Sequence, residues 1–455
     1  MPWLLPVFPA LSRAAAFVYY RVHYAGEPVA GAGPVLLVAN HPNSLLDPML
    51  VVAAARRPVR FLAKAPLFHD RKTAWLVKGA GAIPVHRRAD DPTQVGKNVD
   101  AFEAVYAELA RGAAVGIFPE GLSHSEPALA PLKTGAARMA LGAAAITGGA
   151  FPVVPVGLVF RRKDEFRSSA YVVTGAPVPW ADLAPRGVDD ADAVRELTER
   201  IAAGLLTVTV NLDQWSDRSL VECAVRIWEA EHGAAPTTAE RVARLERTTR
   251  LLHKVREDRD AEGIRLADEV ERFRRRLDRL RLRPADLGAE VGAQRAVGWS
   301  VGKLYLLAPV ALVLALSGWL LFYVPYQVTA WIVSRVRLKP DERSTWKMLV
   351  GIGVYAVWVG TVAGAAGAAG AAGVGGVLRG VGLGLAVLLG VPAIGMLGLI
   401  VRERWRGAWA DARRFFRLRS RRDLVAQLRE ERRTLGARLD ALLTRLTSAQ
   451  ASETR

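Results

Sequence analysis

Apolar and polar positions alternate along this chain in three different ways. Up to about residue 180, short β-branched and aliphatic runs recur at 35–39, 59–63, 83–86, 114–118, 153–160 and 171–174, each of strand length. Stretches with a helical period lie between them, for instance at 99–110 and 135–145. That alternation predicts an α/β layer domain. Residues 186–285 are mostly polar, with charged turns such as 271–283, and predict a lobe of solvated helices rather than a nucleic-acid arm. Residues 304–334, 348–378 and 380–401 carry no charged side chain, and about 20 such residues cross a bilayer core as a helix.

The last third is therefore expected in the membrane. Glycines at 364, 367, 370 and 373 would allow close helix approach in lipid, and Trp319, Tyr323, Tyr326, Trp331, Trp346 and Trp358 suit an interfacial belt. Arginine suggests the topology. The loop 335–347 is basic, and so is 402–422, and the positive-inside rule places both in the cytoplasm. Three simple spans would separate them. Residues 304–334 are accordingly expected to form a re-entrant or interfacial hairpin, helped by Pro309 and Pro325, while the next two runs span. The chain thus divides into an interfacial N-terminal segment (1–30), an α/β domain (31–185), a helical lobe (186–300), a membrane region (301–402) and a basic amphipathic C-terminal helix (403–455). In that helix Val425, Leu428, Leu435, Leu439, Leu442 and Leu446 keep heptad spacing, which Arg432 interrupts. A short coiled coil or a helix lying on an anionic lipid surface would both explain it.

Composition narrows the classes. With 51% apolar and 23% charged residues the chain is not generally disordered, and its single cysteine, Cys223, excludes internal disulfides and Cys-based metal sites. A net charge of +18 fits nucleic acid or anionic lipid headgroups. No basic face with a reading element appears, so nucleic acid is not expected as a partner. The first 20 residues lack a basic start and carry three early prolines, so no signal peptide is expected.

Candidate chemistry begins at VANHPNSLLDPML, residues 38–50. A helix starting after Pro42 could bring Asp47 under the imidazole of His41, fixing its tautomer and leaving a general base. A merely structural histidine would fit the same spacing. A second stretch, 116–145, runs through Phe118-Pro119-Glu120-Gly121 and a Ser/His turn to Lys133 at a helix start. Its turn amides, Ser123, Ser125 and Lys133 could cradle an anion. Between the two, Arg87 and Arg88 follow a short strand and could grip phosphate, although an ordinary charged turn would look alike. Gly121-Leu122-Ser123-His124-Ser125 lacks the last glycine of a serine-hydrolase elbow, and no histidine pair has metal-ligand spacing.

Taken in order, these stretches resemble the phospholipid/glycerol acyltransferase family. Its four blocks read here as Asn40-His41…Asp47, Gly81 to Arg87, Phe118-Pro119-Glu120-Gly121 and Val154-Pro155-Val156, so the resemblance covers about residues 30–180. Five residues, rather than the usual four, separate His41 from Asp47. That spacing, Ile83-Pro84-Val85, the Gly-x-Ser-His at Gly121 to His124, and the stretch from Leu206 to Trp215 resemble the fungal-type glycerol-3-phosphate/dihydroxyacetone-phosphate acyltransferases and their bacterial relatives. The resemblance implies a glycerolipid acyltransferase-type αβ layer domain with a mixed sheet over 31–185. It implies His41 as general base held by Asp47, Arg87 on the acceptor phosphate, and an acceptor pocket shaped by Asn40, Glu120, Gly121, Ser123, Lys133 and Pro155. It implies no cofactor and no metal, with acyl-CoA or acyl carrier protein as co-substrate. The expected acceptor is glycerol 3-phosphate or dihydroxyacetone phosphate, with lysophosphatidate the alternative. The catalytic domain is expected on the cytoplasmic face of a membrane, a bacterial inner membrane in the first instance. A protein that kept the fold as a non-catalytic lipid-binding scaffold is the contrasting class.

Overall fold

The computed structural model describes residues 2–71, 73–86, 98–287, 293–373, 376–420 and 422–453. Among them the chain forms a seven-stranded sheet in the order β1-β7-β6-β2-β5-β3-β4. The strands are β1 (Arg21–Gly26), β2 (Val35–Ala39), β3 (Val59–Lys64), β4 (Ile83–Val85), β5 (Ala114–Ile117), β6 (Val153–Phe160) and β7 (Ser169–Thr174). Only β6 and β7 pair antiparallel; every other pairing is parallel, so the sheet is mixed as expected. Central β2, VLLVA, is buried along its whole length, as a strand covered on both faces must be. Edge strand β1 was not legible as a strand: RVHYAG lacks an apolar run and is nowhere fully buried. It joins the sheet through β7, so the domain takes in part of the segment assigned to the N-terminus.

Six helices cover or flank this sheet, α1 (Phe8–Tyr19), α2 (Leu46–Ala55), α3 (Ala74–Gly79), α4 (Asn98–Ala110), α5 (Gly135–Thr147) and α6 (Ala191–Val208), and α7 (Asp217–His232) follows. One core unites Leu36, Val38, Val115 and Ile117 of the sheet with Val105 and Leu109 of α4, the alanine-rich face of α5, and Leu197, Ile201 and Leu205 of α6. Gly142 lets α4 and α5 close up, since a Cβ there would sit 2.2 Å from the Tyr106 hydroxyl. Helix α6 corrects the expected start of the helical lobe. Asp190 caps its N-terminus by accepting from the amides of Asp192 and Ala193, and its apolar stripe belongs to the domain core.

The chain divides into two compact units. One comprises Met1–Val225, Ala234–Ala267 and Pro340–Ser344; the other Arg226–Gly233, Asp268–Lys339 and Thr345–Arg455. The first therefore includes α8 (Thr238–Glu257), the start of α9 (Ala261–Leu280), and five residues from the far side of the apolar helix α10 (Ala293–Ser334). The second holds most of α10, α11 (Arg343–Ala371), α12 (Gly376–Ser420) and α13 (Arg422–Glu453). Among the described residues three helices are long and apolar enough to cross a membrane: 312–334 within α10, α11, and 376–406 within α12.

Two expectations fail in this second unit. Residues 304–334 do not fold back: α10 is one helix with Pro309 and Pro325 inside it. Pro325 has no amide for the carbonyl of Leu321, four residues earlier, and the Trp358 indole N–H of α11 takes that carbonyl at 2.8 Å. The helix continues because the freed acceptor is satisfied. Helix α13 is not a lone surface helix. Leu428 and Leu435 are buried, and Arg432, only 4% exposed, meets Glu231 at 3.0 Å and the carbonyl of Pro284 at 3.0 Å. The residue that broke the heptad is a buried, doubly engaged tie.

Candidate active site

At the end of β2 the chain leaves the sheet through Asn40 and His41 and reverses at Ser44, which is left-handed at φ 49°. Helix α2 starts at Leu46, so Asp47 sits in its first turn. This places the Asp47 Oδ2 2.9 Å from His41 Nδ1. The same oxygen accepts the Asn43 amide at 2.6 Å. Asp47 is fully buried, and its Oδ1 has no partner among the described residues. Burial pushes its carboxyl up from the ordinary value, against the pull of the His41 hydrogen bond and charge. The His41 ring stacks on Phe118 with centroids 3.9 Å apart and planes within 8°. Its orientation is fixed by a carboxylate at one edge and an aromatic face beneath it. With Nδ1 engaged, Nε2 is left for a substrate proton.

Glu120 joins the two blocks from inside. It is 2% exposed and accepts the His41 amide at 2.8 Å on one oxygen. Its other oxygen accepts the Ala130 amide at 2.8 Å and pairs with His124 Nε2. The motif glutamate thus staples the loop of the base to the loop after β5. Ser123 does similar work, its Oγ accepting the Ser44 amide at 3.0 Å. Asn40 spends its amide on β6, donating to the Leu158 carbonyl at 3.0 Å and accepting the Leu158 amide at 2.7 Å. Gly121 is left-handed at φ 74° with the exposed Lys133 stem packed over it, 2.7 Å from where a Cβ would lie. Pro155 is buried on the other side of the sheet region, against Gly175 and Gly204 of α6, and does not line the cavity described next. Arg87 and Arg88 lie outside the described residues.

A cavity of about 290 Å³ opens beside His41. Asn40, His41 and Glu120 form one wall, and Arg161, Arg162 and Lys163 of the turn after β6 another. The stretch from Thr209 to Trp215 closes it. That stretch is braced by Asn211, whose side chain accepts the Leu129 amide at 3.0 Å while its own amide donates to the buried Glu246 at 3.0 Å. Trp215 donates its indole N–H to the Ser125 carbonyl at 2.8 Å. Sequence reasoning singled out this stretch only as a likeness; its role as a wall depends on partners 82 to 90 residues away. It also missed Lys163, Tyr20 and Asn43. Tyr20, fully buried, accepts from Asn43 Nδ2 at 2.8 Å and donates to the Lys163 carbonyl, linking the turn after β6 to the Asp47 side of the site. Ser344 donates to the same carbonyl at 2.6 Å. Among the described residues no group of three or more His, Cys, Asp or Glu side chains is arranged to hold a metal ion.

Residues 21–159 match the sequence profile of the family described as Acyltransferase. The chain is 28% identical over 273 residues to glycerol-3-phosphate O-acyltransferase 2 of Saccharomyces cerevisiae, covering 58% of this chain and 36% of that protein. It is 35% identical over 132 residues to glycerol-3-phosphate O-acyltransferase 1 of the same yeast, covering 28% of this chain and 17% of the other. A chloroplastic 1-acyl-sn-glycerol-3-phosphate acyltransferase of Brassica napus is 31% identical over 126 residues, 28% of this chain and 33% of its own. The chain thus spans well under half the length of the curated relatives it matches. The mixed-sheet domain, whose blocks meet at the His41–Asp47 pair, thus matches the acyltransferase family over residues 21–159, and the chain is similar there to fungal glycerol-3-phosphate acyltransferases.

Proposed function

We propose that this protein is a membrane-bound acyltransferase that moves a fatty acyl group from acyl-CoA or acyl carrier protein to the sn-1 hydroxyl of glycerol 3-phosphate, or of dihydroxyacetone phosphate, in phospholipid synthesis. The observation that carries the reading is a histidine whose Nδ1 is held 2.9 Å from a buried carboxylate, at the wall of a small cavity lined with cations. His41 Nε2 takes the proton of the acceptor hydroxyl as its oxygen attacks the thioester carbonyl, and Asp47 stabilises the imidazolium. The tetrahedral intermediate then expels the thiolate, which recovers the proton from His41. The ester oxygen comes from the acceptor and the thiol leaves with the donor, so no covalent enzyme intermediate and no cofactor is needed. Asn40, Glu120 and Ser123 keep the loops of the site in register, while Gly121 and Lys133 shape its rim and Arg87 adds positive charge for phosphate.

Similarity to the Brassica protein favours lysophosphatidate as the alternative acceptor. The test is acyl transfer by purified protein in detergent from radiolabelled palmitoyl-CoA, with glycerol 3-phosphate, dihydroxyacetone phosphate and lysophosphatidate offered in parallel and His41→Ala as blank. Label entering lysophosphatidate from glycerol 3-phosphate is the expected result. Label appearing only with lysophosphatidate as acceptor moves the protein to the second acylation. If neither acyl-CoA nor acyl carrier protein gives label with any acceptor, the enzyme reading fails and the scaffold reading takes its place.

A further inference from the structure

We propose that Lys163, in the turn after β6, is a phosphate-binding, specificity-determining residue of the acceptor site; this rests on the reading of that site as one for a phosphorylated acceptor. Lys163 Nζ donates to the Pro42 carbonyl at 2.7 Å and to Ser125 Oγ at 2.6 Å. The first partner is one residue from the catalytic base, and Lys163 and His41 line the same cavity. One small molecule can therefore meet both. An ammonium group has three N–H donors, and the third has no partner among the described residues. No carboxylate among them lies within ion-pair distance of Nζ either, although the side chain is half-buried. A charge taken out of water without a counter-ion is costly unless a ligand supplies one. The neighbouring cations are otherwise occupied or more open: Arg162 meets Glu165 at 3.0 Å and is 63% exposed, and Arg218 meets Glu222 at 3.1 Å.

Burial lowers the Lys163 pKa, while the fields of Asp47 and Asp341 hold it up. A phosphate dianion beside Nζ would act in the same direction as those fields. The backbone is fixed for that task by Tyr20 and Ser344, which both donate to its carbonyl.

The experiment compares the full-length wild type with Lys163→Gln and Lys163→Arg. Substrates are glycerol 3-phosphate, its phosphate-free counterpart glycerol, and water, the last read as palmitoyl-CoA hydrolysis without acceptor. Lys163→Gln should raise KM for glycerol 3-phosphate by roughly 10–100-fold with kcat held within a few-fold, leave glycerol and water rates unchanged, and be rescued by Lys163→Arg. An unchanged KM overturns the proposal. An equal loss of kcat with every acceptor also overturns it, because Lys163 would then only brace Pro42. Should Lys163→Gln fail to fold, acetylation of Lys163 in the wild type, mapped by mass spectrometry, decides. It should be suppressed by glycerol 3-phosphate and by inorganic phosphate but not by glycerol, and equal labelling throughout overturns the assignment. A wild type that acylates no phosphorylated acceptor refutes the acceptor reading itself, a failure visible before any variant is made.

Discussion

At the scale of single residues the site is a compromise between stability and chemistry. Asp47 is fully buried with one oxygen unpartnered among the described residues, and burial raises its pKa. A raised folded-state value means that the folded protein binds this proton more readily than the unfolded chain. The corresponding stability is complete below the ordinary carboxylate value and is lost as pH rises through the folded one. Asp47→Asn should therefore leave Tm at neutral pH unchanged or higher, while lowering kcat roughly 10²–10⁴-fold through loss of the imidazole's tautomer. Thermal melts and single-acceptor kinetics on one preparation check both halves, and a large drop in Tm would show the carboxylate to be structural. The same shift predicts an acid limb in kcat/KM for wild type. As pH falls, Asp47 takes up its proton above the range of an exposed aspartate. The His41–Asp47 pairing was legible because both residues lie within one short stretch. Glu120 as a staple and Phe118 as a platform were not, because each acts on His41 from 77 to 79 positions away and one-dimensional spacing carries no such information.

At the scale of elements, the inner strands, helices α4 and α5 and the apolar runs of α11 and α12 were readable, while β1, α6 and the course of α10 depended on tertiary partners. Strand β1 has no apolar run of its own and exists through β7. Helix α6 has the pattern of any amphipathic helix, and only packing decides whether its stripe meets a lobe or the sheet. The hairpin expected at 304–334 was a sound inference from two prolines, overturned by a tryptophan 37 residues from the carbonyl it serves. That explanation makes a quantitative claim. Trp358→Phe should cost about 0.5–1.5 kcal/mol, because it strands the Leu321 carbonyl. In a Pro325→Ala background, where residue 325 regains an amide for the same carbonyl, the cost should fall toward zero. Equal effects of Trp358→Phe in both backgrounds, by thermal denaturation in detergent, would refute the compensation. The start of α11 offers a second check. Ser344 is fully buried and donates to the Lys163 carbonyl at 2.6 Å, so Ser344→Ala should loosen the turn after β6 and lower acyl transfer several-fold, with Ser344→Thr retaining more activity. Activity in Ser344→Ala equal to wild type would show that the helix start merely rests there.

At the scale of the whole molecule, three apolar helices raise the question of how many cross the bilayer. Residues 340–344, which follow α10, belong to the catalytic unit, with Ser344 bonded to Lys163. They therefore lie on the catalytic side. Helix α13, which follows α12, packs within its own unit against residues that precede α10: Asp440 meets Trp228 at 2.7 Å, Glu431 meets Arg276 at 2.6 Å, and Arg429 donates to the Leu287 carbonyl at 2.8 Å. Those residues are joined to the catalytic unit by α9, AEGIRLADEVERFRRRLDRL, which carries far too many charges to cross a bilayer core. These ties predict an even number of crossings over the α11–α12 pair. Two crossings, α11 outward and α12 back, satisfy this, and they put the basic stretches 335–347 and 402–422 on the same face, as the positive-inside rule requires. Helix α10 would then make no net crossing, although the hairpin expected at 304–334 is absent. Single cysteines at Lys339, Gly373 and Ala441, introduced after replacement of Cys223, test this in sealed vesicles with a membrane-impermeant maleimide. Lys339→Cys and Ala441→Cys should label from one side, that of the catalytic unit, and Gly373→Cys, at the turn between α11 and α12, from the other. Labelling of positions 339 and 441 from opposite faces would require an odd number of crossings and would separate α13 from the residues it packs against.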